Sequence, residues 1–387
     1  MLIAGGGIAG LATALALARQ SITCTVLEQA PTYSEIGAGI QLGPNALRSL
    51  SVLGLREAIE PLAFWPKKIV MRDALTGAQL HHLALGDSFE KRFRERYACL
   101  HRADLLKLLL DACRDHSKIR LCNATQIQSI SSEPDLVRVR VDDGQDFEAQ
   151  GLIGADGLWS VVRSNLRGVQ APRFSGDIAL RALIPCAHEV RDVALWLGPQ
   201  LHVVAYPVKA GRLLNLVAIC ENPGGQNFRG WNEPAPKEWL NKFLGHHSEL
   251  DLLLASASSW TAWALHDRDP IQSWSKGRIA LVGDAAHPCL QYLAQGACLA
   301  LEDAVAIAMH LAQLHNSTGT KEAVNPTGAF TAYSRERQGR GARMIRTARR
   351  MGQLYHASGP LRQARNLGMR FTPEWVSRGA MAWIYAA

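Results

Sequence analysis

The chain has 387 residues, 48% hydrophobic and 20% charged, which supports one large or two ordinary globular domains and excludes a disordered chain. Its longest apolar runs, around residues 105 to 110 and 279 to 286, are flanked by charge and fall short of the roughly 18 residues of a spanning helix, so no transmembrane segment is expected. The net charge of +8 suits nucleic acid, an anionic membrane surface or small anionic ligands, and does not choose among them.

The opening stretch, LIAGGGIAGLATALALARQSITCTVLEQA, reads as strand, glycine turn, helix, strand. Gly5, Gly7 and Gly10 form G-x-G-x-x-G, Leu11 to Gln20 is a helix rich in Ala and Leu, and Ile22 to Leu27 is a β-branched run ending at Glu28. In a βαβ unit each glycine has a task. Gly5 permits the tight turn, Gly7 lets backbone approach a pyrophosphate, and Gly10 allows helix to pack on strand. Glu28 then lies where a carboxylate accepts hydrogen bonds from ribose hydroxyls, and NAD and FAD both fit. The first strand starts almost at Met1, leaving about four residues, or ~13 Å, before the turn, which points to a trimmed start and weaker retention of the nucleotide. The glycines here, with no basic region ahead of them, argue against a signal peptide and for a cytoplasmic enzyme.

A glycine-rich loop from residue 34 leads to a helix starting near Pro44 or Asn45, and Leu100 to Cys113 gives another helix with Arg102 at its start. Leu136 to Val141 and Asp146 to Ile153 read as strands around an Asp-Gly turn, the second running into GADGLWSVVR. From Arg173 short β-rich runs broken by Pro and Gly suit an antiparallel sheet. RIALVGDAAHP restores the parallel-strand pattern, and helices fill most of the rest, joined by a polar connection at 316 to 327. The reading is an α/β fold: a Rossmann-like dinucleotide domain with a parallel sheet (1–172 and 266–340), an inserted, mainly antiparallel β domain (173–265), and a C-terminal helical segment (341–387).

Eight cysteines lie scattered with no Cys-x-x-Cys pair, so free thiols are expected and no metal site. Arginines recur at 337, 340, 343, 346 and 349 with no aromatic residue among them, which favours a solvated or acid-paired helix face over a nucleic-acid site.

Three motifs stand together: GGGIAG at 5 to 10 with Glu28, GADGLWS at 154 to 160, and GDAAHP at 283 to 288. In that order, with a β-rich insert between the second and third, they resemble the single-component FAD monooxygenases with the para-hydroxybenzoate hydroxylase fold, over nearly the whole chain. LQYLAQGACLALEDA at 290 to 304 and HVVAY at 202 to 206 are similar to 3-hydroxybenzoate 6-hydroxylases, with salicylate hydroxylases nearby. The resemblance implies FAD as cofactor, NADH or NADPH as co-substrate, O2 and a small aromatic acid as substrate; oligomeric state is not readable from the sequence, and the late helices offer material for a homodimer.

It also implies roles. Gly5, Gly7, Ala9 and Gly10 face the pyrophosphate, Glu28 the adenosine ribose and Arg102 the flavin side; Asp156 and Gly157 serve both FAD and the nicotinamide cofactor. Asp284 meets the ribityl chain at the end of a parallel strand, Pro288 stiffens the loop, and Gly296 and Ala297 bring a helix start to the isoalloxazine ring. His287 shapes the loop without catalysing. The oxygenating species is an electrophile, so removing the phenol proton enriches the ring, and His202 has the titration range for that base. On a strand, His202 and Tyr206 share one face about 13 Å apart at the backbone. Gln291 orients the phenol or carboxylate, and Tyr97 is a further contact. No arginine stands out for the substrate carboxylate, so salicylate, a hydroxynicotinate or a larger phenol remain alternatives to 3-hydroxybenzoate. An NAD-dependent dehydrogenase and a non-catalytic flavin-binding protein are the rival classes.

Overall fold

The computed structural model describes residues 1–33, 38–187, 190–222, 230–318 and 325–386. The start of the glycine-rich loop (34–37) and the middle of the polar connection (319–324) lie outside the described residues.

A six-stranded sheet forms the dinucleotide unit, with Leu2–Ala4 at its centre, paired in parallel with Cys24–Leu27 on one side and Leu152–Gly154 on the other. Ile279–Leu281 extends it in parallel beyond Leu152–Gly154. The central strands Leu2–Ala4, Leu152–Gly154 and Ile279–Leu281 are short, apolar and buried, as in a parallel sheet covered on both faces. The helix Ile8–Arg19 is buried along almost its whole length, and its small residues let it nest between the sheet and the helix Gly296–Thr318.

An eight-stranded, mostly antiparallel sheet forms the second layer, in which Arg173–Pro185, Leu213–Glu221 and Leu201–Val208 are successive neighbours. It does not stop at the expected boundary. The strands Lys68–Asp73 and Gln79–Ala84, expected within the dinucleotide unit, form its far edge, with Lys68–Asp73 pairing in parallel with Val193–Gly198. The boundary at 340 likewise falls inside one continuous helix, Thr327–Tyr355. Neither feature leaves a composition shift in the sequence, because strand partners are chosen by packing rather than by proximity along the chain.

The run from Asp146 also differs from expectation: it is two strands in two sheets. Asp146–Ala149 pairs antiparallel with Val137–Val141, while Leu152–Gly154 enters the parallel sheet. The chain crosses between them at Gly151, where a Cβ would meet the Met1 side chain at 2.8 Å and Pro326 at 2.9 Å.

Gly296–Leu314 is long and apolar enough to cross a membrane, with mean hydropathy 1.4, but more than half of that stretch is buried inside the protein. It also carries Glu302 and Asp303, ion-paired to Arg337 on the neighbouring helix, so it is a core helix. The arginine series on Thr327–Tyr355 is largely acid-paired: Arg337 and Arg340 hold Glu302, and Arg349 holds Asp267 and Asp269.

Candidate active site

The cofactor end is built from backbone. Gly5 has φ +98°, and a Cβ there would lie 2.6 Å from the Ala155 carbonyl oxygen; at Gly10 it would lie 1.9 Å from the Gly5 oxygen. Both positions are closed to side chains. Gly7 differs: nothing lies within 4 Å of its Cβ position, and it caps Ile8–Arg19 without a side-chain hydrogen bond. The helix therefore presents its first N–H groups and positive dipole end to open space, the arrangement that receives a phosphate. Glu28 secures the turn, its carboxylate accepting from Gly6 N (2.6 Å) and Ala30 N (2.8 Å).

The loop after Ile279–Leu281 closes the other side of this cleft. Gly283 has φ +58°, and a Cβ there would come within 2.8 Å of Ala9 Cβ, so the two glycine motifs pack on each other. Asp284 sits at the carboxyl ends of the parallel strands, where α/β sheets bind ligands. Its carboxylate is open to solvent yet deep in the cleft: burial raises its pKa, His287 and Arg102 draw it back down, and Asp303 pushes it up. Oδ1 lies 3.9 Å from where a Gly296 Cβ would be, at the first residue of Gly296–Thr318. Gly10 against Gly5, Gly283 against Ala9, and Asp284 near both Gly296 and Arg102 link the two glycine motifs to the start of Gly296–Thr318; the bare glycine turn, uncapped helix end and cation fit a dinucleotide such as FAD. A surface groove lined by Met1, Ser21 to Thr25 and Ser117 to Arg120 lies at the amino ends of the same strands, the wrong end for ligand binding.

Asp303 holds the loop from behind. Its carboxylate accepts from Gly283 N (3.0 Å), Arg337 Nε (2.9 Å) and His287 Nε2. Burial pushes this carboxyl upward, but the His287 and Arg337 charges win and hold it below the usual range. His287 is only 1% exposed and packs on Trp274 at 4.8 Å, so its part is structural. Pro288 is buried beside it.

Asp156 is engaged within its own turn. Its carboxylate accepts from Ser160 Oγ (2.5 Å), Val161 N (2.7 Å) and Val162 N (3.0 Å), capping Val161–Arg167. Gly157 takes φ +73° in that turn. The geometry of this pair is that of a helix cap, so the carboxylate expected to serve the cofactors is engaged at its own helix end.

The second half of the site is one face of the antiparallel sheet. His202, Val204 and Tyr206 alternate on Leu201–Val208, and the register brings Arg181 and Val217 level with Val204. Arg181 stands on this face level with Val204. Its guanidinium donates to Gln291 Oε1 (2.5 Å), lies 4.7 Å from the Trp263 ring and acts electrostatically on Tyr206. Gln291 Nε2 is buried without a protein partner. Tyr97 donates to Gln41 Oε1 (2.8 Å), which Tyr206 also meets, and Gly39 N donates to Asn215 Oδ1 (2.8 Å). A Cβ at Gly39 would strike Tyr206 and Asn215, so the segment from the dinucleotide unit lies directly on the sheet.

His202 is 1% exposed, with Nδ1 bonded to His356 Nε2 (2.8 Å). Burial, then the His356 charge, push its pKa well below the ordinary histidine value. Sequence reading missed Arg181, His356, Asp177 and Asp303. Asp177 and Arg181 did carry a signal, two charges four apart on one face of an apolar strand; His356 carried none.

Comparisons with known proteins bear on family and fold. The family model described as "FAD binding domain" matches residues 1–348. The 3-hydroxybenzoate 6-hydroxylases of Klebsiella oxytoca and Polaromonas naphthalenivorans are 39% and 38% identical, covering 99% and 100% of this chain and 96% and 95% of their own. The solved structure of Klebsiella pneumoniae HpxO complexed with FAD and uric acid has TM-score 0.86 at 24% identity, covering 99% of this chain and 96% of that one. The chain belongs to the FAD-binding family of flavoprotein aromatic hydroxylases.

Proposed function

We propose that the protein hydroxylates 3-hydroxybenzoate to 2,5-dihydroxybenzoate, using NADH and O2. The observation that carries this reading is the single sheet face on which His202, Tyr206 and Arg181 gather, with Gln291 bridging to the loop that holds Asp284. Bound FAD supplies oxygen activation with electrons taken from NADH. The chain's own residues do the rest. His202 offers Nε2 to the substrate phenol, since Nδ1 is taken by His356. Tyr206, held neutral by burial, donates a hydrogen bond. Arg181 faces the carboxylate, which a planar guanidinium binds in a paired geometry, and Gln291 fixes the guanidinium while its Nε2 turns to the ligand. Asp284, Arg102 and the glycine turns hold the cofactor.

Two further parts of the reading have support. The eight cysteines are all free thiols, which fits a cytoplasmic enzyme. The C-terminal helices expose Leu361, Leu367, Phe371 and Trp375, at 60% or more, which fits a homodimer; light scattering at the monomer mass would refute that.

The test is NADH consumption by the purified yellow protein across a panel of aromatic acids, with product identification. The expected result is 2,5-dihydroxybenzoate from 3-hydroxybenzoate. A colourless protein binding NAD would restore the dehydrogenase reading, and hydrogen peroxide as sole product with every acid would favour a flavin-binding protein without hydroxylase activity.

A further inference from the structure

We propose that His202, His356 and Asp177 form a proton relay that carries the substrate's phenol proton from the buried site to the surface. The inference rests on the reading in which His202 meets the phenol.

The three groups lie in order. His202 Nδ1 is 2.8 Å from His356 Nε2, and His356 Nδ1 is 3.9 Å from Asp177 Oδ2, within a small ring rotation of a direct hydrogen bond. Exposure rises along the line: 1% at His202, then 13% and 20% for the side chains of His356 and Asp177. His356 is placed deliberately. It caps Thr327–Tyr355, its carbonyl accepts from Gln200 N (2.9 Å) at the turn before Leu201–Val208, and Arg365 from the following helix donates to the Tyr355 carbonyl (2.7 Å).

The contact between two histidine rings fixes the protons. One nitrogen donates and the other accepts, so if His202 Nε2 keeps its lone pair for the phenol, Nδ1 carries the hydrogen and donates to His356 Nε2. His356 then carries its own proton on Nδ1, facing Asp177, whose carboxylate prefers that tautomer and also accepts from Tyr292 Oη. In one pass the phenol O–H breaks and its proton joins His202 Nε2. The Nδ1 proton moves to His356 Nε2, and the His356 Nδ1 proton passes to Asp177 or to water. The substrate becomes the electron-rich phenolate, and the reverse pass returns a proton to the product phenol and resets both tautomers.

The relay resolves a conflict in the simpler picture. A lone His202 acting as base would have to hold an imidazolium against Tyr292 of the Gln291–Leu293 turn and against Tyr355 and His356 at the end of Thr327–Tyr355, with no carboxylate in contact among the described residues. Burial opposes that charge. At His356 burial opposes the charged form most and lowers its pKa, Asp177 favours the proton and Arg365 opposes it. Passing the proton outward leaves no charged ring in the site.

The test uses the FAD-loaded enzyme with 3-hydroxybenzoate and three variants: His202→Asn, His356→Gln and Asp177→Asn. A glutamine at 356 keeps a hydrogen bond to His202 but cannot pass a proton. The expected result for His356→Gln is a kcat about 10- to 100-fold lower, with KM and FAD content little changed, a larger solvent deuterium effect and a shifted pH profile. Asp177→Asn gives a smaller loss of the same kind. His356→Ala should recover hydroxylation with added imidazole, which a packing defect would not. If His202→Asn abolishes hydroxylation while the 356 and 177 variants keep the parent's kcat, pH profile and isotope effect, the relay is wrong and the base assignment stands. If His202→Asn itself keeps full turnover, the base assignment fails and the relay with it.

Discussion

The cofactor cleft and the substrate sheet meet at the loop from Gly283 to Gly296, yet they are made of different material. The cleft is shaped by backbone: Gly5, Gly10 and Gly283 each sit where a Cβ would come within 3 Å of a neighbour, and Gly7 leaves a helix end bare. The sheet face is shaped by side chains carried on ordinary extended backbone, Arg181, His202 and Tyr206, with Gln291 and His356 arriving from elsewhere. A backbone site tolerates almost no substitution and keeps one ligand. A side-chain site can be rewritten residue by residue without disturbing the fold, which suits a family that keeps its cofactor and changes its substrates.

The most severe way to break the contrast is Gly10→Val. With only 1.9 Å between a Cβ and the Gly5 oxygen, the variant should lose its bound flavin almost entirely, read as visible absorbance per protein. His202→Asn comes next: flavin content should stay at the parent level while hydroxylation falls by about 10²- to 10⁴-fold, the usual worth of a general base. A variant that lost both would erase the distinction between the two regions.

Asp303→Asn probes the seam. It removes the carboxylate that serves Gly283, His287 and Arg337, leaving a buried guanidinium with one fewer partner. Unfolding by denaturant should show a cost of about 3–5 kcal/mol. Arg181→Gln is milder and confined to the sheet: KM for 3-hydroxybenzoate should rise roughly 10- to 100-fold, the worth of a charged hydrogen bond, with a much smaller change for the matching uncharged phenol. Equal losses for both would remove Arg181 from the carboxylate.

Acid should separate the regions more gently. His202 is depressed on folding, so the unfolded chain takes up its proton first; this contribution is intact above the ordinary histidine range, about 6.5, and is lost as pH falls below it. Asp303 is also depressed, and its contribution disappears only at lower pH, as the medium passes through and below the ordinary carboxylate range. Stability followed against pH should therefore fall in two steps, and His202→Asn should shrink the first, to which the depressed His81, His101 and His356 also contribute, while leaving the second unchanged.

The cofactor half was legible because its signals are local. G-x-G-x-x-G with a strand on each side, and an aspartate directly after a parallel strand, describe contacts made within about 30 residues of chain, as in any βαβ unit. The alternation that placed His202 and Tyr206 on one face is equally local. The exceptions are instructive. Asp156 carries the same kind of local signal, and its carboxylate also caps the helix that follows it, a contact the sequence reading did not anticipate.

Sequence by itself determined the dinucleotide turn, a helix starting near Ala297, one residue from its observed start, and the shared face of His202 and Tyr206 on Leu201–Val208. It could do so because strand and helix periods decide which neighbours face the same way. Only the tertiary structure decided that Lys68–Asp73 joins the substrate sheet, that Arg181 lies level with Val204, and that His356 touches His202. Those contacts join residues far apart in the chain, and their register follows from how two sheets and a long helix fill the space between them rather than from any pattern written along one segment.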